Sequence, residues 1–228
     1  MAGAAAVFFD VDFTLIHPGP RFQGVGYEES CRRHGVTVDP ALFEQAVRGA
    51  AGVLESADEL YDAELFIAYA RRIIELMGGQ SPAVDAVARE LYTDWAEHHH
   101  FVLYDDVRES LEGLVARGLR LGLISNSHRC LASFQSHFEL EGLISVAVSS
   151  LEHGFMKPHP AIFHAALSLM QVRPEQAFMV GDSLNHDVLG ARQAGMHAVW
   201  LARRGGPADP ASMDVPVIRT LRELAAIV

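Results

Sequence analysis

Val7-Phe8-Phe9 is apolar at every position and ends on Asp10-Val11-Asp12, and this restricts the fold more than any other stretch of the chain. A strand that is hydrophobic on both faces has to be covered on both faces. It reads as a central parallel strand, and an open α/β sheet places its chemistry at the C-terminal ends of such strands. Side chains alternate along extended backbone, so Asp10 and Asp12 address the same region from neighbouring positions. The pattern of apolar run, polar tip and helix start returns at Leu121-Gly122-Leu123-Ile124-Ser125-Asn126 and at Phe178-Met179-Val180-Gly181-Asp182-Ser183. Taken singly, each tip has an ordinary structural role: carboxylates stabilise turns, Ser125 or Ser183 caps a helix, and Lys157 in Met156-Lys157-Pro158 is a solvated lysine. Three tips with compatible chemistry, in order, predict a shared site.

Between the first strand and residue 104 the periodicity is helical, over residues 24–34, 40–55, 58–77 and 82–99, with stops at Gly35, Gly78-Gly79 and Ser81-Pro82. From residue 105 helix and strand alternate, with strands at 120–124, 144–148, 177–180 and 197–201 and helices at 105–117, 128–137, 160–170 and 184–194. That alternation predicts a doubly wound parallel sheet with helices on both faces, an α/β core. The core comprises residues 1–15 and 101–228, and residues 16–100 form an inserted all-helical module. The stretch 205–210 reads as a surface loop before a short C-terminal helix.

A formal net charge of -11 argues against a nucleic-acid partner, because a phosphate backbone needs a broad cationic surface. A small anion in a local pocket remains compatible. Cys31 and Cys130 are the only cysteines and belong to no metal-binding spacing, so the expected setting is a reducing cytoplasm. The N-terminus carries no basic leader and its apolar run is interrupted by Asp10, so no signal peptide and no membrane association are expected. Oligomeric state, monomer or dimer, is not legible. His98-His99-His100 is a poor ligand set, because consecutive helical residues diverge by about 100°. Phe66, Tyr69 and Met77 read as core of the helical module.

Asp10-Val11-Asp12-Phe13-Thr14, Ser125-Asn126, Lys157 and Gly181-Asp182-Ser183-Leu184-Asn185-His186-Asp187 resemble, in order, the four motifs of the haloacid dehalogenase-like hydrolases, most of which are magnesium-dependent phosphatases. Phe13 departs from the glycine many members carry there, which alters the turn above the first Asp. The resemblance implies a Rossmann-like core with a helical cap that closes over the site. It implies Asp10 as nucleophile, forming an aspartyl-phosphate, and Asp12 as the acid that gives and then takes a proton. Ser125, Asn126, Lys157 and Thr14 would bind the phosphoryl group of a small phosphorylated metabolite. Asp10, the Asp12 carbonyl and Asp182 would bind Mg2+, with Asp187 holding metal-bound water or orienting neighbours. His17 and Arg21 are further candidates to face substrate. A dehalogenase would use the same nucleophile without Asp12 or the acidic cluster. A phosphomutase would need a phosphate-gripping cap, and an idle binding protein would need none of these residues.

Overall fold

The computed structural model describes residues 3–55, 59–203, 205 and 214–228. Among the described residues there are eight strands: β1 (Ala6–Phe9), β2 (Ile16–Pro18), β3 (Phe101–Leu103), β4 (Arg120–Ser125), β5 (Ile144–Ser149), β6 (Ala177–Gly181), β7 (His197–Leu201) and β8 (Val217–Ile218). Six of them make one sheet in the order β5-β4-β1-β6-β7-β8, and every neighbouring pair is parallel. The order grows outward in both directions from β1, so the tips of β1, β4 and β6 lie side by side where the winding reverses.

All four side chains of β1 are fully buried. Phe8 lies in a cluster with Ile124, Ile162, Phe163, Met170 and Met179. Gly122 on β4 makes room for it, since a Cβ there would lie 2.6 Å from the Phe8 ring. Helices of this unit are α5 (Val107–Ala116), α6 (Leu131–His137), α7 (Ser150–His153), α8 (Pro160–Met170) and α9 (Gly190–Gln193), numbered after the four of the helical module. Helix α5 buries Val107, Leu111 and Leu114, one stripe at helical spacing. Helix α8 buries Ile162, Phe163, Ala166, Leu167 and Met170.

The chain divides into two compact units, Met1–His17 with Leu103–Val228, and Pro18–Val102. The divisions fall in β2 and β3, which pair with each other as a two-stranded sheet. These three-residue strands carry no periodicity long enough to read. The second unit is helical: α1 (Gly24–Arg33), α2 (Phe43–Glu55), α3 (Ala63–Leu76) and α4 (Val84–Asp94). Helices α3 and α4 bury Ile67, Ala70, Ile73 and Ile74 and Val84, Val87, Ala88 and Leu91, respectively. Met77 is fully buried. Among the described residues, no helix is long and apolar enough to cross a membrane.

Several element bounds differ from the sequence reading. The helix expected from residue 58 begins at Ala63, where the Asp62 carboxylate accepts from the Glu64 amide; residues 56–58 lie outside the described residues. The helix expected over 82–99 ends at Asp94, and His98–His100 is a separate 3-10 turn. The helix expected from residue 128 begins at Leu131, after a bend through residues 126–129. The helix expected over 184–194 is a π-helix over Leu184–Leu189 followed by α9. Apart from Gly205, the predicted surface loop at 205–210 lies outside the described residues.

Candidate active site

Asp10 follows the last residue of β1, and its amide donates to the Val180 carbonyl of β6 at 2.9 Å. Sheet pairing therefore holds the Asp10 backbone, and the residue as a whole is 7% exposed. Lys157 reaches it from the loop before α8. Its Nζ donates to Asp10 Oδ1 at 2.6 Å, to Asp187 Oδ1 at 2.7 Å and to the Ile124 carbonyl at 2.8 Å. All three ammonium protons are thereby used. Burial disfavours the charge on Lys157, but Asp10 and Asp187 outweigh it and hold the ammonium above the ordinary lysine range.

Asn126 fixes the lysine from behind. Its amide donates to the Lys157 carbonyl at 2.8 Å and its Oδ1 accepts from the Lys157 amide at 2.7 Å. Both ends of the Asn126 side chain meet the Lys157 backbone, so the contacts it makes here position the lysine. Ser125, at the tip of β4, is 1% exposed and its hydroxyl has no hydrogen-bond partner among the described residues. A buried orphan hydroxyl is disfavoured unless a ligand completes it. The Thr14 side chain is fully buried with its hydroxyl likewise unpaired, while its carbonyl accepts from Arg203 Nη2 at 2.9 Å.

Asp187 sits in the π-helix, whose wider turn follows β6. The Ser183 amide donates to Asp187 Oδ2 at 2.9 Å, and the Ser183 hydroxyl accepts from the His186 amide at 3.1 Å. Gly181 is required at this point, since a Cβ there would lie 2.2 Å from the Asp187 carboxyl. Asp182 is partly buried, and Trp200 Nε1 on β7 donates to its carbonyl at 2.9 Å. Oxygen atoms of Asp10, Asp182 and Asp187 all lie within 4.8 Å of one another. Burial, and the neighbouring carboxylates, push Asp10 up to about 7 against the pull of Lys157. Burial, with Asp10 and Asp187 beside it, pushes Asp182 up to about 8.

Three carboxylates against one lysine leave an excess of negative charge in a poorly solvated place. An all-oxygen donor set of this kind fits a hard divalent cation. Both oxygens of Asp187 already accept hydrogen bonds, so Asp10 and Asp182 are the carboxylates better placed to reach an ion.

Asp12 is half-buried two residues beyond Asp10, and its Oδ1 accepts from Arg129 Nη2 at 2.9 Å. Arg129 and Trp200 are absent from the sequence reading. An arginine in a predicted helix and a tryptophan in a predicted strand carry no signal of where they reach. The candidates beyond β1 are placed differently. His17 packs on Tyr104 with ring centroids 4.9 Å apart. Arg21 lies in the helical unit, where it donates to Glu90 at 2.9 Å and pairs with Asp94 and Ser30. Phe13 adopts φ 64° and is 38% exposed, the left-handed backbone that glycine would take without strain.

Residues 4–195 match the family model of haloacid dehalogenase-like hydrolases. The chain is 31% identical over 192 residues to a haloacid dehalogenase-like hydrolase domain-containing protein 3 from Xenopus laevis, covering 81% of this chain and 79% of that one. It is 34% identical over 161 residues to a phosphoserine phosphatase from Thermus thermophilus, covering 68% and 61%. Among solved structures it superposes on a HAD phosphatase from Thermococcus onnurineus with a TM-score of 0.67 and 27% identity, covering 98% and 97%. It also superposes on a 2-haloacid dehalogenase from Pseudomonas syringae with a TM-score of 0.63 and 25% identity, again covering 98% and 97%. The chain belongs to the haloacid dehalogenase-like hydrolase family.

Proposed function

We propose that the protein is a magnesium-dependent phosphatase of a small phosphate monoester, acting through phosphorylated Asp10. The observation that carries this reading is the meeting of Asp10, Asp182 and Asp187 within 4.8 Å. A dehalogenase expels halide without a proton donor or a metal, and gains nothing from such a cluster. A phosphatase needs it, because the transferred group is itself anionic and a bound cation offsets the accumulated charge. Asp10, Asp182 and the Asp12 carbonyl are assigned to Mg2+, which would supply charge neutralisation for the transferring phosphoryl group.

Lys157 holds Oδ1 of Asp10 and leaves Oδ2, which accepts no hydrogen bond among the described residues, as the attacking atom. In the first half-reaction the Asp10–phosphorus bond forms as the bond to the leaving oxygen breaks, and Asp12 gives that oxygen a proton. In the second, water attacks phosphorus, the Asp10–phosphorus bond breaks, and Asp12 takes the water's proton. The Ser125 hydroxyl holds a phosphoryl oxygen, consistent with its unpaired burial, while the Lys157 ammonium, its protons engaged by Asp10, Asp187 and the Ile124 carbonyl, offsets charge on the transferring group through space. The helical unit Pro18–Val102 is assigned the role of substrate-selecting cap. The substrate class is proposed to be a small phosphorylated metabolite.

The test is turnover of p-nitrophenyl phosphate by the full chain with and without magnesium. Release that depends on the metal is expected. Chloride release from 2-chloropropionate in the presence of a chelator, with no phosphate release, would replace this reading with the dehalogenase.

A second expectation concerns pH. In the metal-free protein Asp10 and Asp182 stay protonated up to about 7 and about 8, whereas in the unfolded chain they ionise in the ordinary aspartate range near 3.8. Between those limits the folded state holds more protons, so metal-free stability falls as pH rises. Magnesium favours the ionised pair and is expected to raise Tm more at pH 8 than at pH 5. Thermal unfolding at the two pH values checks this, and an equal rise at both would contradict the assignment of these ligands.

A further inference from the structure

Outside the groups used above, Arg129 most needs a reason for its place. Its side chain is fully buried, and Nη2 donates to Asp12 Oδ1 at 2.9 Å while Asp12 stays 18% exposed. Burying a guanidinium opposite a partly solvated carboxylate adds little net stability compared with an apolar side chain of similar size.

The loop that carries Arg129 is anchored on both sides of the site. Asn126 is tied to the Lys157 backbone at 2.7 and 2.8 Å. The Ser127 carbonyl accepts from the Leu151 amide at 3.3 Å, and the Ser127 hydroxyl accepts from the Arg129 amide at 3.3 Å. The guanidinium is thus presented from a braced segment. Oδ2 of Asp12 accepts no hydrogen bond among the described residues, so the arginine grips one carboxyl oxygen and leaves the other.

We infer that Arg129 is the positioning residue of Asp12, fixing the rotamer that aims Oδ2 at the leaving oxygen and later at water. Arginine suits this because its planar fork orients a carboxylate and stays protonated under working conditions, so it cannot intercept the proton Asp12 transfers. The inference rests on the phosphatase reading and on Asp12 as its acid and base.

The experiment is steady-state kinetics with magnesium for the native chain, D12N, R129M, R129K and the D12N/R129M double variant. Each is assayed on p-nitrophenyl phosphate, whose leaving group needs no proton, and on glycerol 2-phosphate, whose leaving group does. R129M is expected to lose at least ~10-fold more kcat on glycerol 2-phosphate than on p-nitrophenyl phosphate, with KM within ~3-fold of native. R129K is expected to recover part of that loss, and the double variant to lie within ~2-fold of D12N, since two residues acting as one unit do not add. Equal losses on the two substrates, multiplied losses in the double variant, or a rise confined to KM would overturn the inference. If R129M does not fold, R129K and R129Q are compared on the same two substrates with the same criteria. A D12N variant with the leaving-group penalty beside arginine variants without it overturns this inference alone. A D12N variant without the penalty overturns the acid–base reading of Asp12 as well.

Discussion

Asp10→Asn is expected to lower kcat by about 10⁴-fold or more, because an amide oxygen cannot form the phosphorylated intermediate. The variant is expected to fold. The amide keeps the shape of the side chain, and Lys157 keeps its partner Asp187 and the Ile124 carbonyl. Loss of a carboxyl that burial pushes up to about 7 also removes part of the fall in stability as pH rises. Thermal unfolding and kcat measured on the same preparation separate the two effects. Acid-quenched turnover of labelled substrate by the native protein is expected to leave label on Asp10. Near-native activity in the variant, or label elsewhere, would place the nucleophile on another residue.

Lys157→Met has the second large effect, and here stability and activity fall together. The lysine is 2% exposed and bridges two carboxylates that are themselves 10% and 2% exposed. Removing one partner from a buried ionic cluster costs about 3–5 kcal/mol when the remaining charges persist. Asp10, whose carboxyl burial pushes up to about 7, limits that cost by taking up a proton, and does so more readily at low pH. The destabilisation is therefore expected to be larger at pH 8 than at pH 5 in the metal-free protein. The activity loss is expected at about 10²–10³-fold in kcat, the range for removing a preorganised donor from a developing negative charge. Equal destabilisation at the two pH values would show that Lys157 does not neutralise these carboxylates.

The site was legible in the sequence wherever a strand ends in a polar tip. Asp10, Ser125 and Asp182 each follow or close a buried strand, so alternation and position at the sheet edge are enough to bring them near one another. Lys157 carries no such signal and was placed through motif order; the structure shows a fully engaged ammonium in a loop held by Asn126. A short polar side chain beside a strand tip does not disclose that both groups of Asn126 meet a backbone thirty-one residues away. The helix expected from residue 128 would have sent Arg129 along a helical surface. The bend through residues 126–129 turns it inward instead.

The order of apolar runs and turn residues by itself determined the doubly wound parallel core, the helical stretch that follows its first strand and the strand tips that carry the clustered carboxylates. Those properties follow from local periodicity and from the need to bury strands with two apolar faces. Tertiary structure alone decided which charges meet. The lysine bridging Asp10 and Asp187, the π-helical turn that carries Asp187, and the arginine behind Asp12 join residues 30, 147 and 117 positions apart or depend on such contacts. Electrostatic partnership in a buried site depends on distances of a few ångströms and on the loss of solvent around them. Neither quantity is written in the spacing of residues along the chain.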